Sequence, residues 1–374
     1  MNSRIPQFRQ ILRQNNLDGF IVTNPTNIYY LTGFRGVMPQ ERESILVFSR
    51  LNLAGGSTST ATLIAPRLYQ NEARQVKSSN LKIKIANERN EIFKKAKELI
   101  TGRKRVGFEE NDLTFYEYQE LKKFSTGSNN NYLIPCKDLI EKMRLIKSTD
   151  EIAKIEKAQI ISQKTFGSLI KTLKIGQTEE EIADRLAKII KSLGAQGLAF
   201  ESIIASGPNA GIPHYLTGKK KIKKGEVLLM DFGAKFDNYH ADLSRTIFIG
   251  KAKNDRVNIY NHVKEAQRAA LTKIRHGVKL SEAYHFANNH FKKHKLDQYF
   301  LHGLGHGIGL EVHEAPFLRN QLPETSNQLL ENMVFSVEPG LYFPWGGIRI
   351  EDLVVIKNGK AKVLGKLEEE IIEI

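Results

Sequence analysis

Four acidic residues stand in segments whose neighbours are mostly apolar. Asp231 and Glu338 each end a strand-like run, whereas Asp242 and Glu351 lie inside segments that also read as strands. A buried carboxylate needs a strong partner, and four such groups together would force some to stay protonated. Two divalent cations would balance the four negative charges, and hard oxygen ligands suit ions such as Mn²⁺. The pattern therefore favours a two-metal site.

The spacing of these acids predicts how strands would bring them together. Residues 233–239 are short enough to turn the chain back, and an antiparallel pair would then place Asp231 and Asp242 side by side, within ~6 Å. Arg349 and Glu351 are two residues apart and would share one face of a strand. Taken singly, either aspartate is better explained by a turn or a salt bridge. The metal hypothesis depends on their combination.

A glycine-rich segment, residues 302–314, carries His302, His306 and His313. Its alternating glycines remove side chains where the backbone must pass close to other atoms. A lone histidine is more often a surface or core residue than a ligand. Three histidines within twelve residues weaken that explanation, and one imidazole would complete the carboxylate set.

Other catalytic classes lack their signatures. The sequence has no Gly-x-Ser-x-Gly elbow, no Walker loop, no His-Glu-x-x-His helix and no Cys-x-x-Cys pair. Cys136 is the single cysteine, so no internal disulfide forms, and a reducing cytoplasm is the expected compartment. We interpret Cys136 as an inert thiol.

The chain is basic, with a formal net charge of +15. Its lysines are spread along amphipathic segments, with one denser run at 219–224, and no nucleic-acid recognition signature accompanies them. A solvated lysine-rich surface is the favoured interpretation, with no nucleic-acid partner. Neither a run of about 20 apolar residues nor an N-terminal secretory core is present. We expect a soluble cytoplasmic protein without a membrane partner.

At 374 residues, two domains are expected. The first third alternates strand-like and helix-like runs, an α/β pattern with sequential crossovers. Strands are predicted at 19–23, 44–48, 60–64 and 106–108, and a helix at 91–100. The domain boundary is placed near 139–148, which gives domains 1–138 and 139–374.

The second domain begins with two capping boxes, Ser148 to Glu151 and Thr178 to Glu181, each predicted to start a helix. Gly194 is suited to end the second helix at C′. From residue 225 onward strands are expected to dominate. Asn358-Gly359 between two apolar runs predicts a tight hairpin turn.

At these motifs the chain resembles the pita-bread metallopeptidase family, which includes methionine aminopeptidase, aminopeptidase P and prolidase. Five segments occur in the family's order, namely 230–234, 241–246, 302–314, 337–340 and 349–352. Residues 18–20 and 27–34 resemble the N-terminal domain of the aminopeptidase P, prolidase and creatinase branch. The resemblance implies an N-terminal creatinase-like α/β domain and a C-terminal α+β pita-bread domain.

The resemblance also implies roles for individual residues. The implied metal ligands are Asp231, Asp242, His306, Glu338 and Glu351. Asp242 and Glu351 would bridge two divalent ions, with Mn²⁺ the first expectation and Co²⁺ or Zn²⁺ the alternatives. The implied catalytic residues are His214, His313 and Glu338, the last as proton acceptor. The implied substrate-side residues are His302, Tyr342 and Arg349.

These roles predict hydrolysis of the peptide bond that precedes proline, whose fixed φ and missing N–H give a pocket a specific shape to select. The favoured prediction is an Xaa-Pro aminopeptidase, and the alternative is an Xaa-Pro dipeptidase (prolidase). A second alternative, which is not an enzyme, is a catalytically inactive binding protein of the same fold. The family branch further implies a homodimer acting on proline-containing peptides.

Overall fold

The computed structural model describes residues 4–35, 43–49, 60–76, 78–122, 132–320, 328–365 and 370–374. The chain divides into two compact units, Met1–Met143 and Arg144–Ile374. Both units combine helices with sheets, so the predicted two-domain α/β architecture is confirmed. Within the described residues, no helix is both long and apolar enough to span a bilayer.

In the part of the first unit that the structure describes, the strands form one six-stranded sheet. Its strands are β1 (Gly19–Val22), β2 (Ile45–Ser49), β3 (Thr60–Pro66), β4 (Leu81–Ala86), β5 (Arg105–Glu109) and β6 (Tyr132–Cys136). Its helices are α1 (Arg4–Gln14), α2 (Pro25–Thr32), α3 (Gln70–Gln75), α4 (Arg89–Ile100) and α5 (Phe115–Lys122), and α6 (Leu139–Arg144) follows. The four predicted strands and the predicted helix at 91–100 are all present.

The order of this sheet, β4-β3-β2-β1-β5-β6, corrects the expected sequential crossovers. β1 pairs antiparallel with β2, and β2 with β3, whereas β1–β5, β3–β4 and β5–β6 are parallel. The sheet is therefore mixed. Residues 133–135, which carried no strand prediction, lie in β6 at its edge, where Pro135 can be accommodated because one side of an edge strand needs no N–H donor.

Glu109, the last residue of β5, is buried beneath the start of α2. Its Oε2 accepts hydrogen bonds from the N–H groups of Thr23 (2.7 Å) and Asn24 (2.8 Å), and its Oε1 accepts one from Asn27 Nδ2 (2.7 Å). Burial disfavours the charged form and raises the pKa of Glu109 to about 8, against the lowering effect of these donors. This carboxyl joins the central strands to α2.

The described residues of the second unit form four antiparallel sheets and four α-helices. Its strands are β7 (Gly197–Leu198), β8 (Ile203–Ser206), β9 (Val227–Phe232), β10 (Ala234–Phe236), β11 (Tyr239–His240), β12 (Leu243–Phe248), β13 (Gly305–Gly307), β14 (Glu314–Leu318), β15 (Val334–Val337), β16 (Gly340–Phe343), β17 (Gly346–Arg349), β18 (Asp352–Lys357) and β19 (Lys360–Val363). Its helices are α7 (Thr149–Ile170), α8 (Glu179–Ser192), α9 (Asn254–Lys273) and α10 (Leu280–Lys293).

The predicted helix starts and turns are confirmed. Ser148 and Thr178 are the N-caps of α7 and α8, each within a complete capping box. Gly194 follows the C-cap of α8 with φ 92°, the left-handed conformation that glycine adopts at low cost. Asn358 and Gly359 both have positive φ and turn β18 into β19, as the sequence predicts.

The expectation that strands dominate after residue 225 is wrong for α9 and α10. Both helices bury alanine-rich faces against the core, with Ala266 and Ala270 on α9 and Ala283 and Ala287 on α10 fully buried. Alanine is small and only weakly apolar, so the helical period is faint in the sequence although it is present. Three sheets, β12-β9-β8, β14-β13-β15-β18-β19 and β16-β17, carry the residues of the site.

Candidate metal centre

The ends of the strands position the four acids. Asp231 is the fifth residue of β9, and Glu338 directly follows β15, as predicted. Asp242 immediately precedes β12. Glu351 lies between β17 and β18, so the predicted continuous strand through 347–355 is interrupted at 350–351. The break leaves the Glu351 side chain directed into the same cavity as Arg349.

The predicted side-by-side pairing of the two aspartates is wrong in register. In the β9–β12 ladder, Asp231 lies opposite Ser244, and Leu243 lies opposite Phe232. Asp242 is therefore a diagonal neighbour of Asp231. The β10–β11 hairpin makes the connection between the two strands two residues longer than a directly opposite pairing of the aspartates would need. Diagonal neighbours still share a face of the sheet, and oxygen atoms of both aspartates lie within 4.8 Å of each other.

His306 enters the site from β13, between two glycines. A Cβ on Gly305 would lie 1.9 Å from Ser336 O, and one on Gly307 would lie 2.1 Å from Ala315 O. The glycines thus allow β13 to pack between β15 and β14 and hold His306 in place. His306 Nδ1 lies 3.1 Å from Gly307 O and donates to it, which leaves Nε2 free for a cation.

The five predicted ligand side chains form two overlapping groups. The first consists of Asp231, Asp242 and Glu351, and the second of His306, Glu338 and Glu351, each with ligand atoms within 4.8 Å of one another. His306 Nε2 lies 3.3 Å from Glu338 Oε1 and 3.7 Å from Asp242 Oδ2. Glu351 belongs to both groups, and Asp242 lies close to both.

The electrostatics of the cluster are unfavourable without a cation. Burial raises the pKa of Asp242 and of Glu351 well above the ordinary range, and the neighbouring carboxylates raise both further. Burial also raises the pKa of Glu338, although His302 and Arg349 oppose the shift. Burial lowers the pKa of His306, so the ring is neutral at pH 7. The protein alone supplies too little positive charge to stabilise the ionised acids.

Unsatisfied oxygen atoms show that the donor set fits divalent cations. Oδ1 of Asp231, Oδ1 of Asp242 and Oε1 of Glu351 are shielded from solvent and accept no hydrogen bond from any described residue. Buried polar atoms are normally paired, and leaving one unpaired costs about 1–3 kcal/mol. Three unpaired carboxylate oxygens beside a neutral imidazole match the hard ligands of a divalent metal centre.

Arg349 and Tyr342 support the cluster from one side. Arg349 Nη2 donates to Asp231, Nε donates to Ser244 Oγ (2.8 Å), and Nη1 donates to Tyr342 Oη (2.7 Å). Burial acts against its charge, but the Tyr342 hydroxyl and the nearby carboxylates raise the pKa of Arg349 well above its usual value. Arg349 lines the cavity, whereas Tyr342 is buried and is absent from the described residues that line it.

His302 is held by hydrogen bonds at both ring nitrogens. Its Nδ1 lies 2.7 Å from Gly303 O and donates to it, so Nε2 accepts the hydroxyl hydrogen of Tyr342, also at 2.7 Å. Burial lowers the pKa of His302, which keeps the ring neutral. His302 thus forms part of the cavity wall with a fixed orientation and has no spare donor for a substrate.

His214 and His313 lie on the accessible side of the centre. Both line a cavity of about 450 Å³ that also contains the ligand side chains. The rings of His313 and His306 are in edge contact, with centroids 4.2 Å apart. Partial burial, His306 and His214 lower the pKa of His313 to about 4, so at pH 7 it is a neutral hydrogen-bond donor. The two histidines that the resemblance implies as catalytic therefore line the same cavity as the acids, and their catalytic role stays a prediction.

Sequence reasoning missed residues that orient the ligands or shape the cavity. Ser336 Oγ donates to Glu338 Oε1 (3.1 Å), and Ser244 Oγ donates to Glu351 Oε2 (2.8 Å). Phe200, Phe317 and Arg319 line the cavity. Ser244 lies within a motif segment and Ser336 directly precedes one. Each is two residues from an acid, Asp242 and Glu338, so the alternation of a strand could have identified them. The other three residues carry no local signal.

The comparisons with known proteins agree with this geometry. Residues 153–358 match metallopeptidase family M24, and residues 4–146 match the creatinase/prolidase N-terminal domain. The chain is 34% identical over 373 residues to an Xaa-Pro dipeptidase from Pyrococcus horikoshii, covering 100% of this chain and 99% of that one. An Xaa-Pro dipeptidase structure from Bacillus anthracis superposes with a TM-score of 0.88 at 30% identity, covering 100% and 99%. An X-Pro aminopeptidase structure from Thermotoga maritima gives 0.85 at 30% identity, covering 99% of both chains.

Fold and site together define a metal-dependent hydrolase with a creatinase-type N-terminal domain. The chain belongs to metallopeptidase family M24, in its aminopeptidase P and prolidase branch. It is a metallopeptidase, and membership of the family implies divalent metal ions. The predicted resemblance and the predicted fold of both domains are confirmed.

Proposed function

We propose that this protein is an Xaa-Pro dipeptidase that requires two divalent metal ions. The aminopeptidase was the first interpretation of the sequence, but the relatives named Xaa-Pro dipeptidase or prolidase favour the alternative. The observation that carries the proposal is a cavity of about 450 Å³ that is lined both by the acid cluster and by Arg319. This volume is near the small end for ligand pockets, and the guanidinium offers a partner for a free carboxylate.

The proposed ligands are those predicted from the sequence. Asp231 would hold one ion, His306 and Glu338 the other, and Asp242 and Glu351 would contact both. The three unpaired carboxylate oxygens support this assignment. When bound, such a pair of ions polarises the scissile carbonyl and lowers the pKa of a water molecule. Mn²⁺ is the proposed ion because four of the five ligands are carboxylates.

The side chains around the centre then have separable roles. Glu338 accepts a proton from the attacking water, and its raised pKa makes it a stronger base than an exposed glutamate. His313 is neutral and donates an N–H to the oxyanion, with His214 beside it on the cavity wall. Arg349 fixes Asp231, and His302 presents a rigid ring to the substrate. Phe200 and Phe317 provide apolar surface for the proline ring.

Of the two cavity arginines, Arg319 is the better candidate to recognise a substrate carboxylate. Arg349 is fully buried and already donates to Asp231, Ser244 and Tyr342. Arg319 is exposed, and its guanidinium lies 4.5 Å from the centroid of Phe317. A guanidinium can bind a carboxylate through two parallel hydrogen bonds. A dipeptide presents that carboxylate directly after proline, whereas a longer peptide does not.

The test compares Gly-Pro, Gly-Pro-amide, Gly-Pro-Gly and Gly-Ala with Mn²⁺-loaded protein whose metal content has been measured. A dipeptidase cleaves Gly-Pro and spares the amide and the tripeptide. Arg319→Gln should lower kcat/KM for Gly-Pro by ~10- to 100-fold, the loss expected for a charge-assisted hydrogen bond, with Arg319→Lys as the partial-rescue control. Rapid cleavage of the tripeptide would restore the aminopeptidase reading, which the Thermotoga maritima structure also supports.

An inactive binding protein of the same fold is disfavoured. Each of the five ligand positions has a side chain that can bind a metal ion, and these side chains converge. The densest lysine run also has internal partners, since Lys220 Nζ lies 2.7 Å from Glu226 Oε2 and from Ser206 Oγ. Cytoplasmic location and homodimer formation stay predictions, which fractionation and sedimentation would check.

A further inference from the structure

We propose that three histidines on the surface of the second unit form an additional site for a transition-metal dication, separate from the carboxylate centre. The residues are His262 on α9, His290 near the end of α10, and His294, which caps α10. One nitrogen from each ring lies within 4.8 Å of the others. We call this group the histidine triad.

The distances within the histidine triad suit a small ion. His262 Nδ1 lies 3.2 Å from His290 Nε2. A tetrahedral Zn²⁺ site with Zn–N bonds of ~2.0–2.1 Å requires nitrogens ~3.3 Å apart. The centroids of His262 and His294 are 4.3 Å apart, and those of His290 and His294 are 4.8 Å apart. Small rotations of the rings therefore bring all three nitrogens to ligand spacing.

The helix backbones fix the positions of His262 on α9 and of His290 on α10. His290 and His294 are four residues apart and so lie on the same side of α10, while α9 presents His262 to them. His262 and His290 are half-buried, and His294 is exposed. The cation can therefore arrive from solvent, while the helix backbones keep the ligands in place. Glu265, whose Oε2 is 3.5 Å from His290 Nε2, or a water molecule can supply a fourth ligand.

The charge state of the rings favours binding. Burial lowers the pKa of His262 and of His290, and the proximity of His294 lowers both further. At neutral pH these imidazoles are therefore uncharged, and each keeps one ring nitrogen with a lone pair for a metal ion. The nearby Lys293 opposes a dication, but it is exposed, and solvent and salt screen its charge. Nitrogen ligands select Zn²⁺, Ni²⁺ or Cu²⁺, unlike the oxygen-rich carboxylate centre.

A cation in the histidine triad would clamp α9 to α10. The two helices bury alanines against the same core, and α9 also carries Gln267, whose Nε2 donates to Val337 O (3.2 Å) and to Asp352 Oδ2 (3.0 Å). Val337 and Asp352 directly adjoin Glu338 and Glu351. Cross-linking the helices should therefore stabilise the fold behind the carboxylate centre without taking part in hydrolysis.

The experiment dialyses Mn²⁺-loaded protein against Zn²⁺ and counts all metal ions per chain by elemental analysis, so that displacement of Mn²⁺ by Zn²⁺ does not change the total. Wild type should bind one equivalent more than His262→Asn and His294→Asn. His285→Asn, a control on α10 outside the histidine triad, should match wild type. Because the result is a difference, it does not depend on how many ions the carboxylate centre holds.

A second measurement covers the case in which a variant folds poorly. The rise in Tm caused by Zn²⁺ should be larger for the Mn²⁺-loaded wild type and for His285→Asn than for His294→Asn, because only the first two proteins bind the additional ion and a bound ligand stabilises the folded state. His294 is exposed, so its loss should not perturb packing. Equal metal totals in wild type and both triad variants, or a Zn²⁺-induced rise in Tm that is as large in His294→Asn as in wild type, would overturn the proposal. Peptidase activity should be the same in all four proteins.

Discussion

Tyr342 donates its hydroxyl hydrogen to His302 Nε2 and accepts a hydrogen bond from Arg349 Nη1, both over 2.7 Å. One buried hydroxyl thus joins a ring that faces the cavity to the arginine that holds Asp231. Burial raises the pKa of Tyr342 to about 12, so the hydroxyl keeps its hydrogen across the working pH range. The residue positions others and does not itself line the cavity.

Tyr342→Phe should lower kcat/KM for Gly-Pro about tenfold, a net loss of ~1.4 kcal/mol, because the two hydrogen bonds of the hydroxyl that orient His302 and Arg349 are lost. The metal content should stay at the wild-type value, since no ligand is removed. Tyr299→Phe, a half-buried tyrosine outside the network, is the control. If Tyr342→Phe also loses metal, the hydroxyl contributes to the centre more directly than the structure indicates.

Glu351→Gln should weaken metal binding at both positions of the centre while stabilising the metal-free protein. In the absence of metal, the raised pKa of Glu351 means that its ionised form opposes folding above its unfolded pKa. Removing that charge should raise the free energy of unfolding by ~1–3 kcal/mol at pH 8, measured by urea titration in EDTA. The exposed Glu201→Gln should have no such effect. A less stable Glu351→Gln would mean that repulsion among the acids is small.

Glu314 follows His313 and pairs with two buried cations. Its Oε1 lies 2.9 Å from Lys147 Nζ, and its Oε2 accepts from Arg144, which also reaches Glu311 over 2.8 Å. Glu314→Gln leaves both cations short of a counter-charge and should cost about 3–5 kcal/mol in the free energy of unfolding. Glu311→Gln is a matched control, because Glu311 is 39% exposed and its pair should contribute less than about 1 kcal/mol. Equal effects of the two changes would contradict the argument.

Glu109 should make the first unit less stable as the pH rises. Its folded pKa, about 8, lies above the ordinary value of 4.5. Between these values the folded state keeps a proton that the unfolded state has released, so the free energy of unfolding falls by up to ~1.4 kcal/mol per pH unit. The stabilisation that the protonated Glu109 provides is complete below pH 4.5 and is lost as the pH rises to 8.

Hydrogen exchange of the β1 and β5 amides between pH 5.5 and 8.5, corrected for intrinsic rates, measures this dependence within the full chain. Glu109→Gln should flatten it, because glutamine does not titrate. The exposed neighbour Glu110→Gln serves as the control. A dependence that persists in Glu109→Gln would assign the titration to another group.

Local sequence patterns were sufficient for the parts of the fold whose causes are local. The two capping boxes, the turn at Asn358-Gly359 and the glycine at the end of α8 depend on backbone geometry within a few residues, and all are found as predicted. The strands that end at Asp231 and Glu338 followed from apolar runs interrupted by a charge. Helices α9 and α10 were missed because only two of the five buried residues of each helix are large and apolar, the others being alanine, glutamine or asparagine, and this weakens the helical period.

The sequence by itself determined which side chains could form the centre, because buried acids and a glycine-flanked histidine have few other uses and occur in the order of a known family. Only the tertiary structure decided the diagonal offset of Asp231 and Asp242, the break before Glu351, and the placement of Arg319 and of the histidine triad. These features depend on the register between strands and on packing between helices distant in the chain. Such long-range contacts leave no periodicity in the residues that make them.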